Sequence, residues 1–316
     1  MKVSVALLTK DGGPGLRECV RAVRGQRLDH DFEILAIDSG SRDGSAQFLR
    51  AEPGVSLVPI DPLAFQHGRT RNEAMRRTRG ELVAFLTQDA VPAHDRWLAG
   101  FVAFMDAHPE VAGAFGHQEP HAGADPLEAW EVAHHFGSFA AGPEVFSPLD
   151  EHAPPEARLR NHFFSNVNSC IRRRAWERVP FREVPFGEDQ LWASDAQAAG
   201  FATGFCRAAT VFHSHDYGPA TLARRRYDEA RFMRRELGVG VIASWPEAVR
   251  IARAHTSYFE GRLAQARPGR PVANWARARA RAWASALGNW AGTRLAHRDG
   301  LAHRLLSLTE RGRAAP

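Results

Sequence analysis

Short apolar runs recur along the first third of the chain, at Val3 to Thr9, Phe32 to Asp38, Val55 to Ile60, Leu82 to Thr87 and Val111 to Phe115. Leu82 to Thr87 is too continuously apolar for a half-exposed antiparallel strand, and it predicts one buried on both faces of a mostly parallel sheet. Between the runs, Leu16 to Val23, Ala46 to Arg50, Arg71 to Thr78 and Asp95 to Ala107 carry helical patterning, and Gly12, Gly13, Pro14 and Gly15 break the first strand from its helix. Strand and helix in this alternation predict an open, doubly wound α/β domain over about the first 115 residues. Ligands of such domains bind beyond the carboxyl ends of the strands, where this chain places Asp38 and Asp89.

From His117 to about Arg160 the pattern loosens, with a helical fragment at Pro126 to Phe136 and a Pro-rich stretch at Ser147 to Pro155; long irregular segments of this kind are usually functional or mobile. Phe163 to Arg172 then reads as a strand bearing Asn166 and Asn168, and Arg174 to Arg178 as a short helix. Pro185-Phe-Gly-Glu188-Asp189 opens a helix running to Ala199, with both carboxylates in its first turn, where the helix dipole favours anions. Thr210 to Phe212 predicts a short strand leading into His213-Ser-His215-Asp-Tyr217, and alternate residues of an extended segment point the same way. Beyond Pro219 the sequence turns Arg- and Ala-rich, with helices expected at Leu222 to Leu237, Trp245 to Tyr258 and Asn274 to Leu308.

With 316 residues the chain can bury a sizeable core. Its net charge of +5 permits an anionic partner, and the excess sits in the tail, where 19 Arg face 7 acidic residues beyond Pro219. Trp245, Trp275, Trp283 and Trp290 interleave with those arginines, a pattern that suits either a lipid headgroup interface or a helical hairpin with a solvated basic face. Three widely spaced cysteines exclude a disulfide framework and a zinc spacing, and they fit a reducing compartment. The first apolar run is too short for a signal peptide, and no stretch approaches the roughly 20 apolar residues that span a bilayer. No GxGxxG or Walker motif accompanies the strands. Each acidic or histidine candidate also has a plainer reading: Asp89 as a turn former, Glu188 and Asp189 as ordinary helix-start chemistry, the histidines as surface residues.

Taken in order, these motifs resemble the GT-A glycosyltransferases of family 2, most closely the bacterial rhamnosyltransferase-like branch. The matching elements are a strand ending in Thr9, the Asp38-Ser-Gly-Ser-Arg-Asp-Gly44 loop, Gly68-Arg-Thr-Arg71-Asn72, the strand-end signature Thr87-Gln88-Asp89, the Glu188-Asp189 pair and the His213-x-His215-x-Tyr217 element, over about residues 3 to 235. In the signature, Thr87 stands where the family has its first Asp, so Asp89 is the only carboxylate of the motif.

The resemblance implies a Rossmann-like, mostly parallel GT-A sheet with flanking helices plus a helical C-terminal extension. It divides the chain into a nucleotide-sugar-binding half (1–117), an acceptor-binding and catalytic half (118–218) and the Arg/Ala-rich helical region (219–316). It implies inverting transfer of a sugar from a dTDP- or UDP-linked donor, best matched by rhamnose from dTDP-rhamnose, to a glycan or lipid-linked acceptor of cell-surface polysaccharide. Asp189, with Glu188, takes the general-base role, starting from the ionised form that a helix N-terminus favours. Thr9, Asp38, Arg71, Gln88, Asp89 and Arg225 are implied at the nucleotide sugar. Asp89 with His213 or His215 is implied as holding Mg2+ or Mn2+. The expected setting is cytoplasmic, peripheral on the inner face of the plasma membrane through the C-terminal helices, with no nucleic-acid partner. Two rivals remain: a nucleotide-sugar-binding homologue without activity, suggested by Thr87, and a nucleic-acid binder using the basic tail, which leaves the ordered acidic motifs unexplained.

Overall fold

The computed structural model describes residues 1–149 and 152–308. Part of the Pro-rich stretch Ser147 to Pro155 and the last eight residues of the C-terminal region therefore lie outside the described residues. The described chain forms two compact units, Met1–His121 with Val132–Ser214, and Ala122–Glu131 with His215 onward.

The first unit begins with β1 (Val3–Thr9), α1 (Gly13–Arg24), β2 (Phe32–Asp38), α2 (Ser45–Ala51), β3 (Val55–Pro59), α3 (His67–Arg77) and β4 (Leu82–Thr87). It continues with β5 (Val91–Pro92), α4 (Trp97–Ala107) and β6 (Val111–Glu119). After α5 (Pro126–Ala140), of which residues from Val132 onward belong to this unit, come β7 (Val145–Phe146), α6 (Pro155–Asn161), β8 (Asn168–Arg172), α7 (Arg173–Arg178), α8 (Glu188–Ala198) and β9 (Ala202–Phe212). The strands form one sheet in the order β3-β2-β1-β4-β8-β6-β9-β5, with β7 paired to β9. β3, β2, β1 and β4 are mutually parallel, as their alternation with helices requires. β8 runs antiparallel to both β4 and β6, so the sheet as a whole is mixed.

Period-two alternation explains the double burial of the central strands. Val3, Val5 and Leu7 of β1 face α1 and α4, meeting Leu16, Val20, Trp97 and Phe101, while Ala6 joins Val83, Phe85, Met75 and Trp192 in a second core containing α3 and α8 residues. In α1 the buried residues Leu16, Cys19, Val20 and Val23 make a single stripe, and Pro14 starts the helix where its missing N–H is harmless.

Three expectations need correction. The strand expected from Phe163 begins only at Asn168, because the preceding backbone is used elsewhere: the Asn166 N–H donates to the Asp189 carboxylate and the Asn168 N–H turns back to the Ser165 carbonyl. Phe163 and Phe164 instead join an aromatic cluster around Phe115. The short strand expected at Thr210 is the end of the 11-residue β9, whose Ala-Thr-Gly-Phe-Cys start has weak strand propensity and is held by pairing with β6.

The last expected helix, running to Leu308, is two helices in the second unit. That unit contains α9 (Pro219–Glu236), α10 (Trp245–Ala266), α11 (Pro271–Arg294) and α12 (Leu301–Leu306), together with the first residues of α5. α11 stops because Arg231 collects the exposed carbonyls of Leu295 (2.7 Å) and Arg298 (3.1 Å) and pairs with Asp299. Arg281, almost fully buried, lies between Glu128 and Glu131, which ties α11 to the start of α5 within this unit. No helix among the described residues is long and apolar enough to cross a membrane.

α9 and α11 meet through small residues: a Cβ on Gly288 would overlap the Ala223 carbonyl and one on Gly292 the Tyr227 carbonyl. Gly288→Val is accordingly expected to force the two helices apart and to destabilise the second unit by on the order of 2 kcal/mol or more. Urea unfolding followed by Trp fluorescence tests this, and an unchanged midpoint would refute the close approach.

Candidate active site

The carboxyl edge of the parallel strands is built from loops that hold one another. Asp38 ends β2 and is buried; its Oδ1 accepts the N–H groups of Gly40 and Ser41, each at 3.0 Å, and its Oδ2 accepts the Ser41 hydroxyl. This is the turn that an Asp-Ser-Gly-Ser sequence favours, since the carboxylate satisfies N–H groups that no strand partner reaches. Asp43 likewise accepts from Gly13 N–H (2.8 Å) and Ser45 N–H (2.9 Å), which links the loop after β2 to the one after β1. Thr9 pairs in register with Asp38, and its buried hydroxyl has no hydrogen-bond partner among the described residues. The same holds for the Thr87 hydroxyl at the end of β4.

Gln88, the middle residue of the strand-end signature, forms a two-way bond with the Lys10 backbone. Its Oε1 accepts Lys10 N–H at 2.8 Å and its Nε2 donates to Lys10 carbonyl at 2.9 Å. The side chain thus acts as one rung of a ladder that ties the loop after β1 to the end of β4.

A second cluster stands where α3 meets α8. Arg71 and Glu188, each about 5% exposed, form an ion pair at 2.5 Å, so the structure places the Arg71 guanidinium on a carboxylate of this chain. Burial alone would raise the Glu188 pKa, but the Arg71 charge, helped by His67, outweighs it and holds the carboxyl below the ordinary glutamate range. Asp189 has no such partner. Its Oδ2 accepts Asn166 N–H at 3.2 Å and its Oδ1 accepts Gln190 N–H at 2.9 Å, while burial first and the Glu188 charge second push its carboxyl up to about 7. Two adjacent carboxylates are thereby set apart: Glu188 stays charged, and Asp189 exchanges its proton near neutrality.

The third cluster surrounds Asp89. His213 Nε2 lies 3.8 Å from Asp89 Oδ2, and His213 Nδ1 lies 3.0 Å from Gln118 Oε1. His121 Nε2 meets the Asp89 carbonyl at 3.2 Å, and the Ser214 hydroxyl accepts the His121 N–H at 3.1 Å, so the segments after β4, β6 and β9 are joined here. One carboxylate oxygen and one imidazole nitrogen at this separation fit two ligands of a single small divalent cation such as Mn2+. His215 opens the longer segment of the second unit, two residues along the chain from His213. Arg225 also belongs to the second unit, on α9, paired with Glu229 at 2.8 Å.

Gln118, His121, Ser165 and Asn166 all belong to this edge, yet the sequence singles out none of them as a site residue. Asn166 carried the best signal, an amide on a segment preceding a carboxylate pair.

Comparison with solved structures identifies the architecture. The chain superposes on a mannosyltransferase, PcManGT from Pyrobaculum calidifontis in complex with GDP-Man and Mn2+, with a TM-score of 0.59 at 18% identity, covering 91% of this chain and 86% of that one. It superposes on S. aureus TarS 1-349 in complex with UDP-GlcNAc with a TM-score of 0.52 at 16% identity, covering 91% and 90%. The fold is therefore GT-A, the α/β class of glycosyltransferase scaffold. Residues 4–179 match the family described as Glycosyl transferase family 2, and the chain belongs to that family. It is similar to the O-antigen chain rhamnosyltransferase RfbN of Salmonella typhimurium, 30% identical over 235 residues that make up 73% of this chain and 72% of that protein. WbaN of Salmonella anatum, also an O-antigen chain rhamnosyltransferase, is 29% identical over 66% of this chain and 64% of its own length. The protein is a glycosyltransferase.

Arg71→Leu should leave Glu188 as an uncompensated buried charge and destabilise the fold by about 3–5 kcal/mol, whereas replacing both residues by apolar ones of similar volume should restore much of the loss. Urea denaturation at pH 7 measures both, and equal losses in the single and double variants would contradict a direct pair.

Proposed function

We propose that this glycosyltransferase moves a sugar from a nucleotide donor to an acceptor hydroxyl with inversion, and that Asp189 is its general base. The observation that carries the reading is the divided carboxylate pair: Arg71 fixes Glu188 as the charged partner, and Asp189 is left with a pKa raised to about 7. A base with that value is ionised for a large share of the time at neutral pH and still accepts a proton readily. The bonds from Asn166 and Gln190 N–H hold its carboxylate in one orientation.

Expulsion of a nucleoside diphosphate develops negative charge at the leaving oxygen. A divalent cation, Mg2+ or Mn2+, held by Asp89 and His213, would supply the opposing charge. Asp38 and the Thr9 hydroxyl, at the end of adjacent parallel strands, form the wall for the base and ribose. Gln88 serves the donor by keeping the loop after β1 in place. The relatives named O-antigen chain rhamnosyltransferases favour rhamnose as the sugar and a cell-surface polysaccharide as its destination, and the resemblance to the rhamnosyltransferase-like branch adds dTDP-rhamnose as donor and a glycan or lipid-linked acceptor. Exposed Trp245, Tyr258 and Trp275, set among arginines on α10 and α11, suit contact with an anionic membrane surface that presents such an acceptor.

Asp189→Asn is expected to lower transfer by about 10²–10⁴-fold while donor binding persists; an active variant would sink the base assignment. Since the carboxyl must lose its proton to act, the rate should rise with pH and level off above about 7. Glu188→Gln should move that limb to lower pH, because the charge that helps raise Asp189 is gone while its burial remains. Asp89→Ala should abolish the response of transfer to added Mn2+; a wild-type-like metal titration would exclude Asp89 as a ligand.

A further inference from the structure

Gln118 is a neutral amide only 4% exposed at the end of β6, at the place where that strand changes its pairing. The ladder with β9 runs Gly116 to Cys206 and then resumes at Gln118 to Val211, an irregularity of the kind that re-aims a side chain beside a site. Asn168 fixes the irregular part by donating to the carbonyls of His117 (3.1 Å) and Ala209 (2.7 Å). The amide of Gln118 is then held at both ends: its Nε2 donates to Ser165 Oγ at 3.1 Å, and its Oε1 faces His213 Nδ1 at 3.0 Å.

A carbonyl oxygen only accepts, so the ring nitrogen it meets must carry the proton. In neutral imidazole this puts the lone pair on Nε2, the atom directed at Asp89. Histidine ligands depend on such a partner on the second nitrogen to fix the tautomer and the ring plane. Resting on the metal reading of Asp89 and His213 given above, we propose that Gln118 is a positioning residue that holds His213 in the Nδ1–H form and presents its Nε2 to the cation. Ser165 completes the device by orienting the amide. Its neighbour Asn166 donates its backbone N–H to Asp189, so one two-residue turn supports both the cation histidine and the base.

The test compares Gln118→Leu and Gln118→Glu in the full chain. Mn2+ alone is titrated in, with the free ion read by electron paramagnetic resonance, and the His213 tautomer is read in metal-free protein by long-range ¹H–¹⁵N spectra. Gln118→Leu should weaken Mn2+ binding by about 10–100-fold and lose the Nδ1–H preference. Gln118→Glu keeps an acceptor towards Nδ1, and the Ser165 hydroxyl can turn to donate to it, so this variant should bind Mn2+ at least as tightly as wild type. Equal weakening in both variants would mark a merely structural role and overturn the proposal, as would unchanged binding in Gln118→Leu. A wild-type chain that fails to bind Mn2+ would remove the metal reading itself. The metal-free spectra would still decide the role of Gln118, an Nε2–H ring in wild type overturning it and an Nδ1–H ring lost in Gln118→Leu upholding it.

Discussion

The Arg71–Glu188 ion pair is the constraint on which the chemistry of the edge depends. An arginine cannot shed its proton, so burying one obliges the fold to bury a carboxylate against it. α3 and α8 are thereby joined at fixed depth, and the first turn of α8 cannot slide without breaking a pair held at 2.5 Å. The next residue inherits the consequence: Asp189, half-buried, sits beside the charged Glu188 and accepts backbone N–H groups from Asn166 and Gln190. An ion pair that contributes little net stability can still set the proton affinities of two neighbouring acids apart.

The departure at Thr87 has a structural counterpart. With one carboxylate in the signature, the cation proposed for this edge would depend on histidine, and a histidine ligand needs its ring oriented and its proton placed. The polar bonds after β6 suit that proposal: Gln118 on His213, Ser165 on Gln118 and His121 on the Asp89 carbonyl. The Gln88–Lys10 pair makes the same point on the other side of β4, where an amide stitches two loops together.

Much of this was legible in the sequence because it is local. Apolar runs of five to seven residues ending in Thr9, Asp38 and Thr87 gave strand, burial and loop chemistry at once, and the strand bounds at Val3–Thr9, Phe32–Asp38 and Leu82–Thr87 match the structure. The pairing of Arg71 with Glu188 was not legible, since it joins residues 117 positions apart and either charge alone suits a solvated helix face. Gln118 was invisible for a related reason: its role comes from a slip in strand pairing and from a histidine in the segment after β9. Phe163 to Val167 looked like strand because apolar residues with β propensity were present, yet the backbone there bonds to a carboxylate, and aromatic packing claims the side chains.

The raised pKa of Asp189 also says what the site costs the fold. In the unfolded chain this carboxyl ionises near the ordinary aspartate value of about 3.9, whereas in the folded chain it keeps its proton to about 7. Between those values the folded state binds more protons than the unfolded one, so stability falls as pH rises, and the whole penalty is present above pH 7. Glu188 has the opposite sign: its lowered pKa contributes stability at neutral pH that fades as the pH falls through the folded value. The first turn of α8 therefore sets side by side two carboxylates whose ionisation acts on stability with opposite sign, and the base role proposed for Asp189 rests on that opposition.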